Sequence, residues 1–204
     1  MRYVYGPVES RRLGFSLGLN LTPYKTCNFD CLYCQLGKTT EPISERKEYI
    51  PVSDIVDELS RWLTAHKEDA ARLDYITFSG SGEPTLNAAF DDLIAGIRKI
   101  TNIPVCIITN ASLVAIPEVR AALCRADVLV PSLDAATEEV FRAIDRPVVP
   151  IKLNDVIEGL VQLRKEFRGA LWLEVMLVRG VNDSLEHARA LKEVITRINP
   201  DKVQ

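Results

Sequence analysis

Five times along this chain a short apolar run gives way, through a polar turn, to a segment with helical spacing. That alternation restricts the fold more than any other feature. The runs lie at 16–21, 75–78, 105–109, 127–133 and 171–178. Between them, Ile55, Val56, Leu59, Trp62 and Leu63 share one helical face in a segment that Ser53 can cap and that runs to about His66. Phe90, Leu93, Ile94, Ile97 and Ile100 share another, and Val119, Ala122 and Leu123 mark a short helix. Helices are predicted near 137–144 and 154–167, with Gly169 suited to stop the latter. Leu185, Ala188, Leu191, Val194, Ile195 and Ile198 form the last face, and Pro200 ends it. Lys202-Val203-Gln204 reads as entry into a sixth strand.

Strands alternating with helices imply a parallel sheet. The expected class is α/β: a partial parallel (β/α)6-type barrel of the TIM kind, cut at the start of the sixth strand, with an open doubly wound sheet as the alternative. Residues 1–204 are expected to form a single core domain. Residues 1–15, broken by Gly6-Pro7, read as an irregular N-terminal extension.

The second constraint is Cys27-Asn28-Phe29-Asp30-Cys31-Leu32-Tyr33-Cys34, which carries three of the five cysteines. Thiolates are soft ligands, and so tight a group points to zinc or an iron–sulfur cluster. A closed zinc site or a fully ligated four-iron cluster takes four protein donors. Three thiolates on four irons leave one iron open to a substrate or cofactor. A disulfide is disfavoured by the odd local count. A zinc site would need a distant fourth ligand among Cys106, Cys124, His66 and His187, none of which has zinc-finger spacing. Cys106 and Cys124 sit among apolar residues and read as core. His66 and His187 fall on polar helix faces and read as solvated.

At 204 residues and 47% hydrophobic, the chain can bury a sizeable core. Nothing in its net charge of -3 announces nucleic acid or an anionic membrane, although residues 1–50 carry seven Lys/Arg against five Asp/Glu, a lean compatible with a phosphate-bearing partner. No apolar run is long enough to span a bilayer, so no membrane is expected and the chain reads as cytoplasmic.

Parallel α/β folds place their sites at the C-terminal ends of strands. Each unusual motif here falls at one: the cysteine loop, Ser79-Gly80-Ser81-Gly82-Glu83-Pro84, Asn110, Ser132 with Asp134, and Arg179-Gly180-Val181-Asn182-Asp183. The Gly80/Gly82 turn lets backbone approach a ligand, and its carbonyls with Glu83 suit an ammonium group. Ser132 and Asp134, two apart on a strand, share a face; they suit a ribose, or the capping of the helix near Thr137. Asn110 is a polar tip over the mouth or a turn residue. Arg11 and Arg12 suit a substrate carboxylate or phosphate, or an ordinary structural pair.

Cys27-x-x-x-Cys31-x-Tyr33-Cys34 resembles the cluster motif of the radical SAM superfamily, and Ser81-Gly82-Glu83-Pro84 resembles its Gly-Gly-Glu-Pro motif with Ser81 for the first glycine. Tyr5-Gly6-Pro7-Val8-Glu9-Ser10-Arg11-Arg12-Leu13-Gly14, Ser132-Leu133-Asp134-Ala135 and Asp145-Arg146-Pro147 resemble a wyosine-synthase-related branch of that superfamily. Wyosine synthases typically carry further cysteines for a second cluster, and none precedes Cys27 here. The resemblance implies a [4Fe-4S] cluster on Cys27, Cys31 and Cys34, with S-adenosylmethionine on the fourth iron. Tyr33, Gly80, Ser81, Gly82, Glu83, Asn110, Ser132, Asp134 and Asn182 would contact that cofactor. An external one-electron reductant of flavodoxin or ferredoxin type would yield methionine and a 5′-deoxyadenosyl radical, which abstracts hydrogen from an unidentified substrate. The competing expectations are a tRNA-modifying, wyosine-type enzyme and an iron–sulfur electron-transfer or binding module with no S-adenosylmethionine; the substrate would be a tRNA or a small molecule.

Overall fold

The computed structural model describes residues 2–39 and 43–204. Seven strands lie in one sheet in chain order: β1 (Val4–Ser10), β2 (Gly14–Asn20), β3 (Tyr75–Ser79), β4 (Val105–Thr109), β5 (Val128–Pro131), β6 (Ala170–Leu173) and β7 (Lys202–Val203). β1 is antiparallel to β2, and every later pairing is parallel. Between the parallel strands run α1 (Val52–Ala65), α2 (Lys67–Ala70), α3 (Phe90–Ile100), α4 (Pro117–Leu123), α5 (Glu138–Ile144), α6 (Leu153–Glu166) and α7 (Leu185–Ile198). The predicted parallel α/β class is therefore the observed one.

Strand periodicity explains the two cores. Ile76, Phe78, Ile107, Leu129, Leu171 and Leu173 point to one face and join the helices' apolar stripes in the main core. Cys106, Val128 and Val130 point to the other, where Tyr75, Ile108, Ala170 and Trp172 pack with them. Leu13, from the turn between β1 and β2, enters that second cluster. The inner face is thus packed by side chains of its own strands and by the hairpin turn, as in a partial barrel, and its polar end is left at the strands' C-termini.

Several expectations need correction. The stretch read as irregular forms β1. Gly6-Pro7 disguises it, but proline is tolerated on an edge strand with an irregular register, and the β1–β2 register shifts between Tyr5 and Val8. The strands read as 127–133 and 171–178 are shorter, Val128–Pro131 and Ala170–Leu173. Ser53 does not cap α1, whose N-cap is Pro51. Gly169 does not stop α6; Phe167 is the C-cap. His187 is buried, not solvated, at the first turn of α7. Thr137 caps α5 by accepting from Val140 N, which leaves Ser132 and Asp134 free of that role. Cys106 lies in the inner core as expected. Among the described residues no helix is long and apolar enough to cross a membrane.

Glu58 of α1 fastens the start of the sheet by accepting from Arg2 N, Tyr3 N and Val4 N at 2.7, 3.1 and 3.1 Å. Partial burial pushes its carboxyl up, but the three N–H groups together outweigh that and hold it below its ordinary value of 4.5. A carboxylate depressed in the folded state contributes its stabilisation above the unfolded pKa and loses it as the pH falls through the folded one. Amide exchange at Val4, corrected for intrinsic rate, should therefore accelerate as the pH drops below about 4, and Glu58→Gln should remove that dependence.

Candidate active site

The polar end of the inner face holds a cavity of 480 Å³ adjoining a second of 360 Å³. Arg12, Cys27, Cys31, Gly80, Gly82 and Ser132 border both. The second cavity also meets Cys34, Tyr33 and Lys25, so all three thiols of the loop face one space.

Two clamps fix the cysteine loop. On one side it pairs with the exit of β3: Lys25 N donates to Ser81 O at 2.5 Å and Glu83 N to Thr26 O at 3.0 Å. Thr26 and Gly82 form a parallel bridge. A Cβ on Gly82 would overlap the Thr26 carbonyl oxygen, and Gly80 has φ +106°, a left-handed value that favours glycine. The glycines thus admit the loop as well as any ligand. Gly82→Ala should force the loop off β3 and reduce iron incorporation on anaerobic reconstitution severalfold; Gly37→Ala, which strains a backbone at φ +80° but has nothing within 4 Å of its Cβ position, separates backbone strain from that overlap. On the other side Asp30 N and Leu32 N donate to Asp145 O and Ile144 O, at 3.2 and 2.7 Å, and Val148 N to Asn28 O at 3.0 Å.

Several of the predicted residues serve as brackets. Glu83 is fully buried; its carboxylate accepts from Thr85 N, Thr85 Oγ1, Thr109 Oγ1 and Asn110 N at 3.0, 2.6, 2.6 and 2.7 Å. It is turned into the protein and ties the β3 exit to β4, with burial pushing its pKa up against those donors. Asn182 is also buried: Nδ2 donates to Asp134 O and Met176 O, and Oδ1 accepts from Val178 N, so its amide is spent on the loop after β6. Asp134 is 1% exposed and accepts from Tyr33 Oη at 2.5 Å and Met176 N at 2.7 Å. Of the Ser132–Asp134 pair, Ser132 borders both cavities and Asp134 lies beneath. Asn110 Nδ2 reaches Asn28 Oδ1 at 3.0 Å and Cys27 Sγ at 3.7 Å. Arg12 points into the cavity and pairs with Glu174, whereas exposed Arg11 borders neither space.

The thiols are all free. Burial pushes Cys27 up to about 11 and raises Cys31 further, so the metal-free chain holds both as neutral thiols. Metal binding would release their protons. Lys25 Nζ stands 2.9 Å from Cys34 Sγ, and Cys31 Sγ donates to Asp145 Oδ1 at 3.9 Å. Asp145 and Asp134 are themselves buried neighbours; burial raises both and favours one proton shared between them. Among the described residues no further cysteine and no histidine borders either cavity. No three Cys, His, Asp or Glu side chains among them converge as they would on a single ion.

Sequence reasoning missed five site residues. Asn20 Oδ1 accepts from Ser81 N and Oγ and holds the glycine turn. Asn28 and Asp145 secure the loop. Tyr5 crosses the inner face to Ser79, and Glu174 answers Arg12. Asn20 lies inside the run read as 16–21 and ends the observed β2, so its place at the mouth was hidden; Glu174 was likewise hidden inside a strand read too long.

A model described as "Radical SAM superfamily" matches residues 21–191. A Brachyspira hyodysenteriae protein named GTPase Obg is 44% identical over 201 residues, covering 98% of this chain and 29% of that protein. A UPF0026 protein of Methanocaldococcus jannaschii is 34% identical over 202 residues, covering 99% of this chain and 62% of its own. The chain thus spans less than two thirds of the length of either relative. The crystal structure of archaeal TYW1 has the same fold, with a TM-score of 0.59 at 16% identity, over 91% of this chain and 62% of that one. With the cysteine loop, the glycine turn and the strand-end polar residues at one mouth, this chain belongs to the radical SAM superfamily.

Proposed function

We propose that the 204 residues form one catalytic core in which Cys27, Cys31 and Cys34 hold a [4Fe-4S] cluster and S-adenosylmethionine takes the remaining iron. The observation that carries this reading is the donor set: three free thiols facing one space, with no further thiol or imidazole on its walls among the described residues. When bound, the cluster supplies one-electron cleavage of S-adenosylmethionine to methionine and a 5′-deoxyadenosyl radical.

The chain's own part is to bind, orient and exclude water. Lys25 beside Cys34 offsets thiolate charge. The Asn110 amide steadies Cys27, and N–H groups near cluster sulfurs tune potential. Glu83 and Asn20 hold the 80–82 backbone against the mouth, where its carbonyls are placed for an ammonium group. Ser132 offers a hydroxyl to a ribose, and Tyr33, anchored by Asp134, provides a ring for the adenine. Asp134 and Asn182 act behind that wall. Electrons come from an external reductant of flavodoxin or ferredoxin type. An electron-transfer module would need a fourth protein ligand, and among the described residues the cavity walls offer no thiol or imidazole for it.

Anaerobic reconstitution with iron and sulfide, followed by dithionite and S-adenosylmethionine, should give methionine and 5′-deoxyadenosine in equal amounts. Full cluster loading with neither binding nor cleavage of S-adenosylmethionine would overturn the reading.

A further inference from the structure

The cavity has a polar wall that none of the cofactor assignments uses. Arg12 comes from the β1–β2 turn and Glu174 from the end of β6, two elements far apart in the chain, and their side chains meet at the mouth. The Glu174 side chain is 19% exposed and that of Arg12 53%. In the larger cavity, which Arg12 also lines, Tyr5 Oη and Ser79 Oγ touch one another. Two residues deeper on the same face of β3, Thr77 is 3% exposed and its Oγ1 has no partner among the described residues. Buried hydroxyls are normally satisfied by protein or ordered water. Its orphan state places an unmet polar demand below the mouth.

We infer that this wall is the substrate subsite, and that the group it takes is an α-amino-acid head: an ammonium and a carboxylate one carbon apart. The inference rests on the reading of the cavity as the reaction chamber. A ligand carrying only an anion would draw Arg12 away and leave the mostly buried Glu174 without a counter-charge, and a lone cation would do the reverse to Arg12. The first is costly, because it leaves the mostly buried Glu174 unpaired; the second costs less, because the half-exposed Arg12 stays solvated, but it forgoes the anion contact that Arg12 offers. A zwitterion inserts between the two, its carboxylate on Arg12 and its ammonium on Glu174, and keeps both charges matched. Tyr5 and Ser79 then offer hydroxyls to the remaining lone pairs of the carboxylate or to a polar side chain directed toward Thr77.

The test uses the cluster-free chain, which lacks the iron that would anchor S-adenosylmethionine. Equilibrium dialysis is run with the free α-amino acids and with alkyl amines and carboxylates of matching length as single-charge probes, and is repeated on the iron-loaded chain saturated with S-adenosylmethionine. At least one amino acid should bind about tenfold more tightly than either single-charge probe, a difference of about 1.4 kcal/mol. Arg12→Met and Glu174→Gln should each weaken it about tenfold, and Arg11→Met should not. If the singles unfold the chain, the double exchange R12E/E174R, which keeps the ion pair but reverses its direction, serves in their place and should still lose the amino acid. Overturning results are no amino-acid binding at millimolar concentration, equal binding of the single-charge probes, indifference to the variants, or loss of amino-acid binding in the iron-loaded chain saturated with S-adenosylmethionine, which would assign the pair to the cofactor. S-adenosylmethionine binding by the iron-loaded wild type is scored separately. Its failure counts against the proposed function, and its success without amino-acid binding counts against the subsite alone.

Discussion

Alanine at Cys27, Cys31 or Cys34 should abolish the iron–sulfur absorbance of anaerobically reconstituted protein, while Cys106→Ala and Cys124→Ala should retain it. The reasoning is geometric. The three loop thiols border a common space, held there by backbone hydrogen bonds to 81–83 and to 144–148. Cys106 lies in the inner core, packed with Leu13, Val128 and Val130, and cannot reach that space without unpacking the cluster. Its replacement costs stability as a small cavity does but removes no ligand. Cys124 is the C-cap residue of α4. Iron and sulfide per chain, read with the visible spectrum, check the result. Loss of iron from Cys106→Ala or Cys124→Ala, with the fold intact by circular dichroism, would mean a fourth thiolate and a closed cluster.

Glu83→Ala should destabilise the chain by about 3–5 kcal/mol, the range for removing one partner from a buried charged network. The carboxylate answers four donors from Thr85, Thr109 and Asn110, and two of these are backbone or hydroxyl groups of the β4 exit. Alanine leaves the buried backbone N–H groups without acceptors, at about 1–3 kcal/mol for each. Glu83→Gln, which keeps one acceptor oxygen, should cost roughly half as much. Urea unfolding of the metal-free protein measures both. A loss below about 1 kcal/mol for the alanine variant would show that the glycine turn is held without Glu83, and the side chain would then be free to face a ligand.

These two predictions differ in how far the sequence reveals them. The cysteine spacing was enough to single out the proposed ligands, because thiols three and two residues apart have few uses in a cysteine-poor chain. The alternation of apolar runs with helical faces was enough for the parallel sheet, because both periods are local. What stayed hidden depends on contacts between distant residues. Glu83 and Asn182 look like ligand contacts in the sequence because they sit at strand ends; only the fold shows their polar atoms already taken by backbone groups 27 residues away for Glu83 and 48 for Asn182. β1 was lost because Pro7 is a breaker everywhere except on an edge such as this one. Arg12 and Arg11 are alike as neighbours, and the direction each points is set by Leu13 anchoring the turn in the inner core.

The central claim is that one iron has no side-chain donor and accepts S-adenosylmethionine. Electron paramagnetic resonance of the dithionite-reduced, fully reconstituted chain tests it most directly. The account predicts a [4Fe-4S]+ spectrum whose g-values shift when S-adenosylmethionine is added, with a further perturbation when its amino group carries 15N and is read by electron–nuclear double resonance. An unchanged spectrum with no 15N coupling, from protein that holds four irons per chain, would contradict it.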